Sequence, residues 1–253
     1  MTSRLPDMAH LALLALLALG PAFLVSCSPA PAPAPDAQPT GSAASEQVDC
    51  AVARCVALTF DDGPGQYTGR LLDELKAADA PATFFMVGKN IAKYPDAVKR
   101  MAAEGHQLGS HTWDHADLTT LTREQIQHEL GWTSEAVEKA SGHEPTVFRP
   151  PYGNHGAVYD RLVPYPLVLW DVDTLDWKHH DPEKTVRIAM DEVHPGSIIL
   201  MHDIHESSVK ALPDLVEKLK AEGYTPVTVD QLFNGQLENS TAYASAPAPG
   251  ATK

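Results

Sequence analysis

From residue 56 to residue 229, short β-branched or apolar runs alternate with amphipathic stretches, and this alternation constrains the chain more than any other feature. The runs cover 56–60, 83–87, 147–148, 167–170, 197–201 and 226–229, with a shorter one at 107–109. Between them, Leu71, Leu72, Leu75 and Ala78 make one helical stripe. Val98, Met101 and Ala102 make another, which Gly105 ends. Thr122 followed by Gln125 is a capping-box start for a helix over 122–140. Asp181-Pro182 reads as N-cap and first helical position, with Gly196 closing that segment. A last helix covers 209–222 and stops at Gly223. Strands alternating with helices predict a parallel sheet covered by helices. A continuous apolar run such as Ile198-Ile199-Leu200 suits a strand buried on both faces. About seven strands in roughly 190 residues predict an irregular parallel (β/α) barrel, smaller than the eight-stranded ideal. An open doubly wound sheet is the alternative from this pattern.

The ionisable clusters follow the expected strands. Asp61-Asp62-Gly63 follows 56–60, Ser110-His111 follows 107–109, and Arg149 follows 147–148. Asp171 to Trp177 follows 167–170, and His202-Asp203 follows 197–201. In a parallel barrel all strand C-termini open on one face, so five clusters far apart in sequence converge in space.

Two adjacent carboxylates at a strand end call for a cation. One can ligate it while its neighbour, turned aside, serves as a base. His111 and His115 are four apart, a spacing that lets two imidazoles face one ion from a single helical turn. Asp62, His111 and His115 therefore form a two-His, one-carboxylate set. Zinc takes such a set and keeps a position open for water. Iron(II) accepts it too, but that chemistry has no use for Asp61 or His202.

The two ends read differently. Residues 11–25 are one apolar run, too short for a comfortable membrane span and of the length of a secretory h-region. Leu24-Val25-Ser26-Cys27 at its end resembles a bacterial lipobox. A signal peptide over 1–26 and a lipid anchor on Cys27 are expected, placing the protein outside the cytoplasm and on the membrane. Residues 27–48 begin with Cys27 and continue as an Ala/Pro-rich tether. About 20 such residues at ~3 Å each reach ~60 Å. Residues 238–253 share that composition and are expected to be disordered, which leaves 49–237 as the folded domain. Cys50 and Cys55 form an even pair and invite a disulfide in an oxidising compartment. The formal net charge of −14 disfavours nucleic acid as a partner.

Five segments, in order, resemble the motifs of the polysaccharide deacetylase family, the NodB-homology fold or carbohydrate esterase family 4. They are Thr59-Phe60-Asp61-Asp62-Gly63, His111-Thr112-Trp113-Asp114-His115, Arg149-Pro150-Pro151-Tyr152-Gly153, Asp173-Thr174-Leu175-Asp176-Trp177 and Leu200-Met201-His202. The resemblance covers residues 55–233. It implies a NodB-like barrel and a hydrolase that removes acetyl groups from N-acetylglucosamine units of peptidoglycan or chitin-type glycans; a monomer is expected. It implies that Asp62, His111 and His115 hold a divalent metal, zinc first. Asp61 would be the general base and Arg149 would orient it. The Tyr152 N–H would face the oxyanion. His202 would be the general acid, with its pKa raised by Asp176. Trp177 and Leu200 would wall the acetyl pocket. O-deacetylation of acetylxylan and a catalytically inactive glycan-binding lipoprotein are the alternatives. Trp113, Trp132 and Trp170 read as packing, and His155, His179, His180, His194 and His205 take no role.

Overall fold

The computed structural model describes residues 48–250. The signal peptide, the Cys27 anchor, the tether up to residue 47 and the last three residues of the tail lie outside the described residues.

The strands are β1 (Cys55–Asp61), β2 (Thr83–Met86), β3 (Gln107–Ser110), β4 (Val147–Phe148), β5 (Leu167–Val168), β6 (Val172–Asp173), β7 (Ile198–His202), β8 (Thr225–Val227) and β9 (Ala242–Tyr243). The helices are α1 (Thr68–Ala77), α2 (Gly88–Ile91), α3 (Pro95–Ala103), α4 (Arg123–Ser141), α5 (Ala157–Asp160), α6 (Asp176–His179), α7 (Pro182–Glu192), α8 (Glu206–Ala221) and α9 (Val229–Leu232). The sheet runs β6-β7-β1-β2-β3-β4-β5-β9, with β8 also on β1, and its strand pairs are parallel. It curls into a half-barrel that its outer strands do not close. Each of the seven expected strands has a counterpart; β6 and β9 are additional. Both are two residues long, too short for any periodic signal in sequence.

Strand alternation sorts the core from the site. On β1, Val56, Leu58 and Phe60 join the main apolar cluster with Leu71, Leu72 and Leu75 of α1 and with Val209, Leu212 and Leu215 of α8. The intervening Ala57, Thr59 and Asp61 take the other face, as the period of two requires. On β7, Ile199 and Met201 enter the main cluster while Ile198 faces the second one. Truncating one of these buried leucines, Leu72→Ala for example, costs about 2–5 kcal/mol. The Thr122–Gln125 and Asp181 caps act as read, while α7 ends at Glu192, short of Gly196. Thr122 and Gln125 make a reciprocal capping box, and Gly142 closes α4 in the left-handed region at φ 79°.

The expectation of a disordered tail from residue 238 needs correction. Leu167 and Leu169 donate backbone bonds to the carbonyls of Thr241 and Tyr243, so β9 pairs with the edge of β5. Tyr243 meets Phe233 at 4.9 Å between ring centroids. Ala246 is buried and its N–H bonds Gly196, while Ser245 bridges Ser197 just before β7. Composition misleads here because a strand edge supplies unpaired backbone groups, and pairing with them needs no large side chains. Cys50 and Cys55 are joined by a disulfide at the start of β1.

Candidate active site

The parallel register brings the ionisable residues together at one end of the sheet. Asp61 ends β1 and His202 ends β7, and the two are register partners on adjacent strands. His111 follows β3, Arg149 follows β4, and Asp176 with Trp177 opens α6 after β6. A cleft of about 410 Å³ is lined by Asp61, Asp62, His111, His115, Tyr152 and His202, among others. Trp177 and Leu200 lie in its wall. The structure thus brings the expected metal, acid–base and pocket residues to one place, with Arg149 and Asp176 buried behind those that face the cleft.

Asp62, His111 and His115 each offer a ligand atom, and these atoms lie within 4.8 Å of one another. Asp62 Oδ1 is 3.6 Å from His111 Nε2 and 3.3 Å from His115 Nε2. Ligand bonds of about 2.0–2.2 Å to a tetrahedral ion would put donors ~3.4 Å apart. Asp62 Oδ1 is buried without a hydrogen-bond partner, an unmet acceptor that a cation would satisfy. His111 Nδ1 lies 2.7 Å from the Arg149 carbonyl, which accepts its N–H and so fixes the tautomer that leaves Nε2 free to ligate. Burial pushes the His111 pKa down to about 3 against the pull of Asp62, so the ring is neutral, as a ligand must be. The donor set fits a divalent metal.

The His111–His115 segment is not a helical turn, which corrects that part of the sequence reading. Thr112 and His115 adopt positive φ, 63° and 67°. Glu129 of α4 accepts the N–H groups of Trp113 and Asp114 at 2.8 and 3.2 Å, replacing the bonds a helix would have made. Asp62 also has positive φ, 72°. Each such non-glycine residue costs on the order of 1–3 kcal/mol and persists only where its surroundings hold it.

Asp61 is held by Arg149. The guanidinium is fully buried and gives Nη1 to Asp61 Oδ1 at 2.7 Å and to Thr59 Oγ1 at 2.8 Å. Its Nε and Nη2 go to the carbonyls of Val168 and Leu169 at 2.9 and 2.8 Å. The Phe85 ring packs 4.1 Å beneath it. Burial pushes the Asp61 carboxyl above the ordinary range, while Arg149 and His202 pull it back.

His202 is held by Asp176. Nδ1 is 2.8 Å from Asp176 Oδ1, and the His202 N–H bonds Oδ2 at 2.8 Å. Trp177 N–H and Ser208 Oγ add two more bonds to the same carboxylate. Burial alone would lower the imidazole pKa. The Asp176 hydrogen bond and charge, with help from Asp61 and Asp62, outweigh it and raise the value to about 9. His202 is therefore a cation at neutral pH, with Nε2 left free.

Sequence reasoning missed several supports. Thr59, Ser208, Glu129 and Asn90, whose amide bonds the Asp62 carbonyl at 2.9 Å, all fix a site residue. They are ordinary polar residues with no spacing signal. Trp170, read as packing only, lines the cleft. Tyr152 has φ 62° and is 66% exposed, with its ring 4.6 Å from that of His115; Trp177 is also exposed.

Comparison with known proteins agrees with this geometry. The family model described as "Polysaccharide deacetylase" matches residues 49–163. The peptidoglycan-N-acetylglucosamine deacetylase PgdA of Listeria monocytogenes is 39% identical over 189 residues, 74% of this chain and 41% of that protein. This chain thus spans well under half of that relative. A peptidoglycan-N-acetylglucosamine deacetylase of Bacillus cereus is 36% identical over 191 residues, 72% of this chain and 70% of that one. A solved T48 deacetylase with substrate superposes with a TM-score of 0.77 at 70% identity, covering 78% of this chain and 99% of that one.

Proposed function

This chain belongs to the polysaccharide deacetylase family, and from that premise we propose that it hydrolyses the N-acetyl group of N-acetylglucosamine units in a β-1,4-linked glycan, peptidoglycan before chitin. The carrying observation is the register pairing of Asp61 and His202. It sets an Arg-held carboxylate beside a carboxylate-held imidazolium, next to an Asp-His-His donor set. A glycan-binding module has no need of such an acid–base pair.

Asp62, His111 and His115 would hold the metal, zinc by its donor preference. A bound divalent ion polarises an acetyl carbonyl and lowers the pKa of water. Asp61 takes the proton from the attacking water, and Arg149 keeps its free oxygen aimed at the cleft. The Tyr152 backbone N–H serves the oxyanion that develops on the carbonyl. His202 Nε2 gives its proton to the departing amine, and Asp176 accepts Nδ1–H, fixing the ring's orientation and supporting its charge. Trp177, Leu200 and Trp170 exclude water around the acetyl methyl. The exposed faces of Tyr152 and Trp177 offer stacking surface to sugar rings.

Peptidoglycan is favoured because relatives over most of the domain are named for it, and because a lipid anchor at Cys27 would place the domain beside the cell wall. The anchor rests on the apolar run at 11–25 and the cysteine that follows it. Fatty-acid labelling that is absent from the wild type, or that persists in Cys27→Ser, would remove this support. For the activity, the zinc-loaded protein should release free amine from peptidoglycan and chitooligosaccharides and little acetate from acetylxylan. Acetate from xylan alone would make it an O-deacetylase. Release from none of the three, with zinc bound, would end the hydrolase reading.

A further inference from the structure

Asp203 follows His202, is fully buried, and takes no part in the chemistry above. One of its carboxylate oxygens, Oδ1, has no hydrogen-bond partner. The other accepts the hydroxyl of Thr68, the first residue of α1. The Thr68 oxygen in turn accepts the Gly65 N–H at 2.7 Å. The carboxyl group also presses on Gly63, where a Cβ would fall 2.2 Å from both of its oxygens, so a side chain there would displace Asp203. Gly65 is close to the same strand end: a Cβ on it would meet Ile204 at 3.1 Å. The far side of this turn is gripped by Val87, between β2 and α2, and by Asn90 of α2. The Gly63 carbonyl accepts Val87 N–H at 2.9 Å and the Asp62 carbonyl accepts the Asn90 amide at 2.9 Å. Leaving a buried carboxylate oxygen unpaired costs about 1–3 kcal/mol or more, which an apolar residue of similar size would avoid.

We propose that Asp203 is a positioning residue: with Thr68 and the bare Gly63 it braces the strained Asp62 turn against the end of the His202 strand, holding metal ligand and general acid at one spacing. The brace opposes the grip from Val87 and Asn90, so the turn is clamped between two walls and Asp62 keeps its left-handed backbone. The proposal rests on the deacetylase reading, because it assigns Asp62 to the metal and His202 to the acid.

The brace works by shape and one hydrogen bond rather than by charge, which sets its test. Zn²⁺ affinity, measured by competition with a chromophoric chelator, and kcat are read in Asp203→Ala, Asp203→Asn and Thr68→Val, with thermal melting as the check on folding. Asp203→Ala and Thr68→Val should each weaken zinc binding by roughly 10–100-fold, the usual range for partners of metal ligands, with a matching fall in kcat. Asp203→Asn keeps the volume and the acceptor for Thr68 and should stay within about threefold of wild type, a rescue that a need for charge would not allow. Should Asp203→Ala not fold, Thr68→Val carries the test alone, since it removes only the hydroxyl. Wild-type zinc affinity in the folded variants would overturn the brace and leave the deacetylase reading intact, as would an Asn variant as impaired as the Ala variant. Failure of the wild type itself to bind zinc would overturn both.

Discussion

Asp61–Arg149 and Asp176–His202 are both buried carboxylate–cation pairs, but they face the cleft in opposite senses. In the first, the permanent cation is hidden, bound to two backbone carbonyls, and the carboxylate lines the cleft. In the second, the carboxylate is hidden under bonds from Ser208 and two backbone N–H groups, and the titratable cation lines the cleft. The Coulomb attraction is alike in kind. What differs is which partner is saturated by other bonds and which keeps a free atom. A pair becomes a base where its carboxylate has an oxygen to spare, and an acid where its imidazole has a nitrogen to spare. Ion pairing at this depth is weak evidence for stability, because desolvation offsets most of the attraction. The asymmetry points to chemistry.

The largest expected effect breaks the first pair at its working end. Asp61→Asn keeps the shape and one acceptor but cannot take a proton. It should lose on the order of 10³-fold in kcat, within the range for a general base, with zinc binding and KM little changed. Steady-state kinetics beside a zinc titration checks this. Near-normal kcat would mean that the carboxylate facing the cleft is not the base.

Next in size is the second pair, broken at its hidden end. Below a pH of about 9, His202 holds its proton, so activity should fall as pH rises through that value. A bound cation offsets the help that Asp61 and Asp62 give, so the alkaline limb in the loaded enzyme should lie at or below about 9. Asp176→Asn removes the main support and should bring that limb down toward the ordinary histidine range, with roughly 10–100-fold loss of kcat at neutral pH. The stability follows the same sign. A raised imidazole pKa stabilises the fold fully below the unfolded value of about 6.5, and the gain is lost as pH rises through about 9. An alkaline limb unmoved in Asp176→Asn would show that some other group is the acid.

The smallest expected effect separates the two pairs. β9 bonds the backbone of Leu167 and Leu169, and the carbonyls of Val168 and Leu169 hold the Arg149 guanidinium. Removing residues 238–253 should loosen the arginine and cost about tenfold in kcat, since poor positioning of a catalytic group is expensive. The alkaline limb set by His202 should stay in place. A limb that shifts, or a truncated protein with full activity, would show that the tail does not act through Arg149.

The sequence by itself determined the parts governed by near neighbours. The alternation of strand runs with helical stretches could be read directly, as could the Thr122–Gln125 cap. So could the placement of Asp62, His111, Arg149, Asp176 and His202 after strands, because parallel strands share one C-terminal edge. The tertiary structure alone decided the rest. It bends residues 111–115 into a loop through Glu129, ties the Arg149 guanidinium to the carbonyls of Val168 and Leu169, and seats Asp203 against Gly63. It also turns an Ala/Pro-rich tail into an edge strand. Periodicity and capping report only on a few adjacent residues. A buried hydrogen bond or an unpaired strand edge takes whichever partner packing delivers, however distant in the chain, and ordinary residues such as Glu129 and Ser208 carry no local mark of having been chosen.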